Sequence, residues 1–166
     1  MEIRGNEFIV EPGIFNVKID YNKLIHELFA NGDYNDADVD FCDFDPQGFG
    51  IDLVTLGQQN LNLRIIRFLR NIDTLTEAIG LIVDNGFEPA GVRHLLTLGM
   101  TYPYLQRACP VITLEPGADH YSNFWWLMLT VYKNFRCIRF YGWTCWDDHF
   151  PGYGIDCDVW YLVIQP

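Results

Sequence analysis

Apolar and polar positions alternate near the start of the chain. Phe8-Ile9-Val10 and Ile14-Phe15-Asn16-Val17-Lys18-Ile19 read as strands, and Pro12-Gly13 between them suits a tight turn, which predicts an N-terminal β-hairpin. A short helix follows, with Leu24, Ile25, Leu28 and Phe29 as its apolar stripe. Asp20 or Asn22 is the expected cap and Asn31-Gly32 the expected stop.

The middle of the chain has helical texture. Leu61, Ile65, Phe68, Leu69 and Ile72 recur at helical spacing, with Arg64, Arg67 and Arg70 displaced from that stripe. Leu61-Asn62-Leu63-Arg64-Ile65 also alternates, so residues 58–72 stay open between helix and strand. The next segment is a clearer helix. Asp73 or Thr74 caps it, Glu77 completes a capping box, and Asn85-Gly86 ends it. A third helix, with Pro89 in its first turn, carries Val92, Leu95, Leu96 and Leu98 and is limited by Gly99 and Pro103; together the two suggest an αα-hairpin.

Beyond Cys109 the pattern is that of strands: Val111–Leu114, Phe124–Tyr132, Phe135–Tyr141 and Asp156–Ile164. Lys133-Asn134 is a two-residue link suited to a hairpin, because Asn tolerates positive φ. Phe124–Tyr132 is apolar on both alternating faces, which predicts a central strand covered on both sides. The fold class expected is therefore α+β: an N-terminal hairpin, a helical middle and a C-terminal antiparallel sheet sharing one core, in a single domain spanning residues 1–166.

Composition sharpens the picture. The 166 residues are 49% apolar, which excludes a mainly disordered chain, and the apolar runs are too short for a spanning helix. There are 22 acidic and 11 basic residues, a balance of −11 that argues against direct binding of nucleic acid through overall charge. The N-terminus lacks the apolar stretch of a signal peptide. Five cysteines at irregular spacings do not form an even disulfide framework, so reduced thiols and a cytoplasmic location are expected, with no membrane partner.

The acids are unevenly distributed. Asp33, Asp36, Asp38, Asp40, Asp43, Asp45 and Asp52 lie in one segment that has no Lys or Arg, interleaved with Val39, Phe41, Phe44, Phe49 and Ile51. Asp36-x-Asp38-x-Asp40 resembles the opening of a calcium loop, but Phe41 and Gln47 stand where that loop needs Gly and Glu. Aspartates at alternate positions of an extended chain lie about 6.6–6.8 Å apart, close to the spacing of phosphates along a DNA strand. The partner-binding residues expected from this pattern are Asp33, Asp36, Asp38, Asp40, Asp43 and Asp45, with Phe41 and Phe44 as apolar anchors.

Other constellations are weaker. Cys137, Cys145, His149 and Cys157 are zinc-ligand types without a Cys-x-x-Cys knuckle, so no metal and no cofactor are expected. Cys145, Asp148 and His149 supply the atoms of a thiol hydrolase, although the neighbouring acids, Asp147 among them, oppose thiolate formation. His120, after Asp119, is a comparable acid–base candidate. Phosphate-loop, nucleophile-elbow and His-Glu-x-x-His motifs are absent. The Arg64, Arg67, Arg70 stripe is expected to neutralise local acids. These features favour a non-enzymatic binding protein that engages or blocks a partner protein with a basic surface, in the manner of an inhibitor, an immunity protein or a protein that blocks nucleic-acid-binding machinery. A small Cys/His- or metal-dependent hydrolase and a self-assembling structural subunit are the alternatives.

Overall fold

The structure is a computed structural model that describes residues 2–4, 7–34, 36–37, 56–114, 117–118, 124–143 and 159–166. Its strands are β1 (Glu2–Arg4), β2 (Phe8–Val10), β3 (Phe15–Asp20), β4 (Asp36–Ala37), β5 (Gln58–Phe68), β6 (Glu88–Pro89), β7 (Val111–Ile112), β8 (Gly117–Ala118), β9 (Phe124–Tyr132), β10 (Phe135–Trp143) and β11 (Trp160–Gln165). The helices are α1 (Ile25–Ala30), α2 (Leu75–Asp84) and α3 (Val92–Thr101), with a 3-10 turn at Leu105–Arg107. All of the strands join one mixed sheet, so the molecule is α+β with a sheet-dominated core.

An N-terminal hairpin is present, but it pairs β1 with β2. β2 and β3 do not pair with each other. They lie end to end along β5, at registers Phe8↔Phe68 to Val10↔Ile66 and then Phe15↔Leu63 to Asp20↔Gln58. Glu11, Pro12, Gly13 and Ile14 therefore stand opposite only Arg64 and Ile65, and Pro12-Gly13 makes a bulge instead of reversing the chain. The same offset recurs where β7 gives way to β8 along β9, between Ile112↔Met128 and Gly117↔Trp125.

Residues 58–68 are strand, which settles the ambiguous stretch against the helix. From Leu63 to Phe68, β5 is buried on both faces: Leu63 and Ile65 point to one apolar cluster, Ile66 and Phe68 to the other. Adjacent buried positions on opposite faces give spacings of three and four that imitate a helical stripe. Phe68 packs against Phe8 and Tyr161 on one face, and full burial of such a ring contributes about 1.5–3 kcal/mol.

Helices α2 and α3 form as expected but not as an αα-hairpin. Ala78 and Ile82 of α2 belong to the cluster with Phe8, Phe68 and Tyr161, whereas Val92, Leu95, Leu96 and Leu98 of α3 belong to the cluster on the other face. Between the helices, β6 pairs with Val163–Ile164 of β11, so the connection runs within the sheet and delivers α3 to the opposite side. Pro89 is accordingly a strand residue, and Gly91 is the cap of α3. At α2, Thr74 Oγ1 accepts from the Glu77 amide as expected, while the Glu77 carboxylate turns to Arg70.

The C-terminal strands share the core as expected, but they belong to the same mixed sheet as the N-terminal ones and are not purely antiparallel. β9 and β10 form the expected hairpin, with Lys133 and Asn134 at φ 48° and 70°, the conformation that a tight two-residue hairpin turn requires. β11, however, sits between β5, to which it is antiparallel, and β7, to which it is parallel. β9 is central, as its two apolar faces predict: Leu127 and Leu129 enter the α3-side cluster, and Trp126 and Met128 pack on the α2 side. Among the described residues no helix is long and apolar enough to cross a membrane.

Candidate functional site: the anchors of the acidic segment

The structure places the two flanks of the acidic segment and fixes both to α3. At the departing flank, α1 ends with Asn31 as its C-cap, and Asp33 is exposed at φ 51°. Asp36 and Ala37 then form β4, parallel to Cys137 and Ile138 of β10. Tyr34 is folded inward, stacked on Phe29 with ring centroids 5.7 Å apart. Arg136, projecting from β10, lies 4.8 Å from the Tyr34 ring centroid. Its guanidinium donates to the Gly32 carbonyl and to the Gly99 carbonyl of α3, each at 2.6 Å. Burial pushes the Tyr34 hydroxyl up to about 12, against the opposing pull of the Arg136 charge.

Gly99 is what lets this anchor close. A Cβ there would lie 2.8 Å from Leu129 Cδ1 and would collide with the Tyr34 hydroxyl. A Cβ at Gly80 of α2 would meet nothing within 4 Å. The same substitution should therefore have opposite signs at the two sites. Gly80→Ala is expected to stabilise by about 0.5–1 kcal/mol through helix propensity. Gly99→Ala is expected to destabilise by about 1–2 kcal/mol, because overpacking outweighs that gain. Urea midpoints of the two variants against the native chain check the sign.

The returning flank is held by the β3–α1 connection. Tyr21 donates its amide to the Gly57 carbonyl at 2.8 Å, and the Gly57 amide donates to Asn22 Oδ1 at 3.2 Å. Gly57 has φ +89°, a region that suits glycine. Gln58 Nε2 donates to Asp20 Oδ2 at 2.9 Å, and this bond holds the exposed Asp20 carboxyl below its usual value. Asp20 and Asn22 thus serve the returning strand and do not cap α1. The α1 cap position is Leu24, whose amide donates to the Glu27 carboxylate at 2.8 Å.

The N-terminus of α3 clasps this connection. Arg93, only 8% exposed, donates to the carbonyls of Asp20 and Lys23 and lies 5.8 Å from the Tyr21 ring centroid. His94 Nδ1 accepts from the Gly91 amide at 3.1 Å, which fixes the proton of the neutral ring on Nε2, 3.2 Å from the Tyr21 hydroxyl that accepts it. Burial, assisted by the Arg93 charge, pushes the imidazole down to about 4. His94 and Gly99 are five positions apart, about 7.5 Å along the helix axis. One short helix therefore holds both flanks.

The sequence-derived residues fall unevenly on this framework. Asp33 and Asp36 belong to the departing anchor, while Asp38, Asp40, Phe41, Asp43, Phe44 and Asp45 lie outside the described residues. Cys145, Asp147, Asp148, His149 and Cys157 do so as well, as do Asp119 and His120. Cys137 is buried in β10, its thiol directed at the Phe135 carbonyl. Among the described residues no group of three His, Cys, Asp or Glu side chains converges. The arginine stripe divides. Arg70 pairs with Glu7 and Glu77 as expected, whereas Arg64 donates to Gln165 and to the Glu11 carbonyl.

Arg93, His94 and Arg136 carry no signal in the sequence, and Gly99, which reads there as a helix limit, lies inside α3, which runs on to Thr101. The only trace is a polar residue, such as Arg136, at a core-facing position of an apolar strand. Comparison with protein-family models, with curated proteins and with solved structures finds no match.

Proposed function

We propose that the chain is a non-enzymatic binding protein whose segment from Asp33 to Asp52 engages and blocks a partner protein with a basic surface, in a reducing cytoplasm. The observation that carries this reading is the pairing of a segment whose charged side chains are all acidic, seven aspartates without a Lys or Arg, with flanks hydrogen-bonded to one helix. Mutually repelling carboxylates contribute nothing to folding unless something pairs them, so such a segment supported by dedicated anchors fits a surface kept for a partner. Steering by the acids would accelerate encounter, and nearby aromatic side chains would then be buried.

The test is kinetic. The basic protein captured by the native chain should associate about tenfold more slowly with a variant carrying Asp36→Asn, Asp38→Asn, Asp40→Asn and Asp43→Asn, and with a flatter salt dependence. Unfolding midpoints should stay near those of the native chain. An association rate unchanged across a salt series, with the fold intact, would overturn the proposal.

A further inference from the structure

The hairpin end of the sheet carries charge opposite to that of the molecule as a whole. Residues 104–114 and 124–143 contain Arg107, Lys133, Arg136 and Arg139 and not one Asp or Glu, in a chain of net charge −11. Gln106 holds the 3-10 turn against the hairpin by donating to the Thr130 carbonyl. This corner is also aromatic: Tyr104, Tyr132 and Phe135 are 72%, 53% and 55% exposed, too much for rings that belong to the core. The Arg107 guanidinium lies 5.1 Å from the Tyr104 ring centroid, and the Lys133 ammonium 5.1 Å from that of Tyr132. Among the described residues neither cation is paired with a carboxylate. Next to this corner, on the same edge, β4 brings in Asp36 opposite Cys137, and the exposed Asp33 precedes it.

We propose that this corner is a dimerisation surface, on which the cationic, aromatic hairpin end of one copy takes the acidic segment beginning at Asp33 of a second copy. The inference rests on reading that segment as a docking element and names one occupant for its partner site. The complementarity is chemical on both counts. Carboxylates meet Arg107 and Lys133, while Phe41 and Phe44 of the same segment are suited to pack on Tyr132 and Phe135. Because the cationic corner and the start of the acidic segment adjoin each other, a two-fold axis beside them satisfies both contacts reciprocally. Such an arrangement closes at two copies and does not propagate into a filament. Nucleic acid is the competing occupant of a cationic aromatic surface, and the chain's −11 charge opposes it.

The test is analytical ultracentrifugation of the full chain at low and high salt, with two charge-reversed variants. One carries Lys133→Asp and Arg107→Glu; Asp tolerates the positive φ of position 133. The other carries Asp36→Lys, Asp38→Lys, Asp40→Lys and Asp43→Lys. The native chain should dimerise at low salt and dissociate as salt rises. Each variant alone should dimerise at least about tenfold more weakly. Mixed in equal amounts, the two should recover the dimer, since both reciprocal contacts are then of opposite charge. If the lysine variant fails to fold, the four Asp→Asn changes replace it and should weaken the dimer in the same direction.

A native chain that is monomeric at every salt concentration, or a dimer indifferent to both reversals, would overturn the proposal. So would a fluorescent oligothymidylate that binds the native chain and is lost on Lys133→Asp with Arg107→Glu. If dimerisation fails while association with the captured basic protein still depends on Asp36, Asp38, Asp40 and Asp43, the docking function stands and the second copy is not the occupant.

Discussion

Replacing Arg136 with alanine is expected to lower stability by about 3 kcal/mol, since hydrogen bonds to a charged group contribute about 1.5–3 kcal/mol and two are lost together. The Gly32 and Gly99 carbonyls would lose a donor, and the Tyr34 ring would lose the cation above it. For a chain of this size that loss corresponds to a fall in Tm of roughly 6–12 °C. Arg136→Lys should rescue little. A single ammonium cannot reproduce the planar fork that reaches two carbonyls on different elements at once. Thermal unfolding of the two variants checks this, and a lysine variant as stable as the native chain would show that charge alone suffices.

The second large effect is on acid stability. His94 is held near a pKa of about 4 in the folded protein, against 6.5 for the unconstrained ring. Above about pH 6.5 both states carry a neutral ring, and the clasp on Tyr21 and Gly91 is fully present. As pH falls from about 6.5 towards 4, the unfolded chain takes up the proton first, so stability is lost progressively. The loss approaches about 3 kcal/mol at the acid end, at 1.36 kcal/mol per unit of pKa difference. His94→Gln keeps a side-chain acceptor for the Gly91 amide and has nothing to titrate. Its urea stability should therefore fall less than that of the native chain between about pH 7.5 and 4.5, by about 2–3 kcal/mol. Parallel losses in the two proteins would mean that other groups dominate the acid response.

What the sequence made legible, and what it hid, follows from the range of the forces involved. The β9–β10 hairpin was visible because its signals are local: two apolar strands and a turn whose two residues adopt positive φ. α2 was visible through the Thr74 cap and the Asn85-Gly86 stop. β5 was ambiguous because burial on both faces erases the alternation that identifies a strand. The opposite placement of α2 and α3 was hidden in β6, two residues whose identity as strand comes only from pairing with Val163–Ile164. At the site, composition alone flagged the aspartates. The anchors stayed invisible because they join single side chains to distant backbone carbonyls: Arg136 reaches Gly32 across 104 positions of sequence, and Arg93 reaches Asp20 across 73. Backbone acceptors leave no signature in residue type.

The position of β11 at the centre of the sheet has a consequence on the ribosome. β5 acquires its β11 neighbour only after roughly 90 further residues have been made, which takes about 5–20 s at ordinary rates of synthesis. During that interval one edge of an apolar strand containing Leu63, Ile65, Ile66 and Phe68 has no native pairing partner. β2 and β3 can pair with the opposite edge early, being N-terminal to β5. The nascent chain therefore carries a half-built sheet with an aggregation-prone edge until its last described strand emerges. Yield in the cell should accordingly respond to chaperone supply more than the stability of the finished fold would suggest.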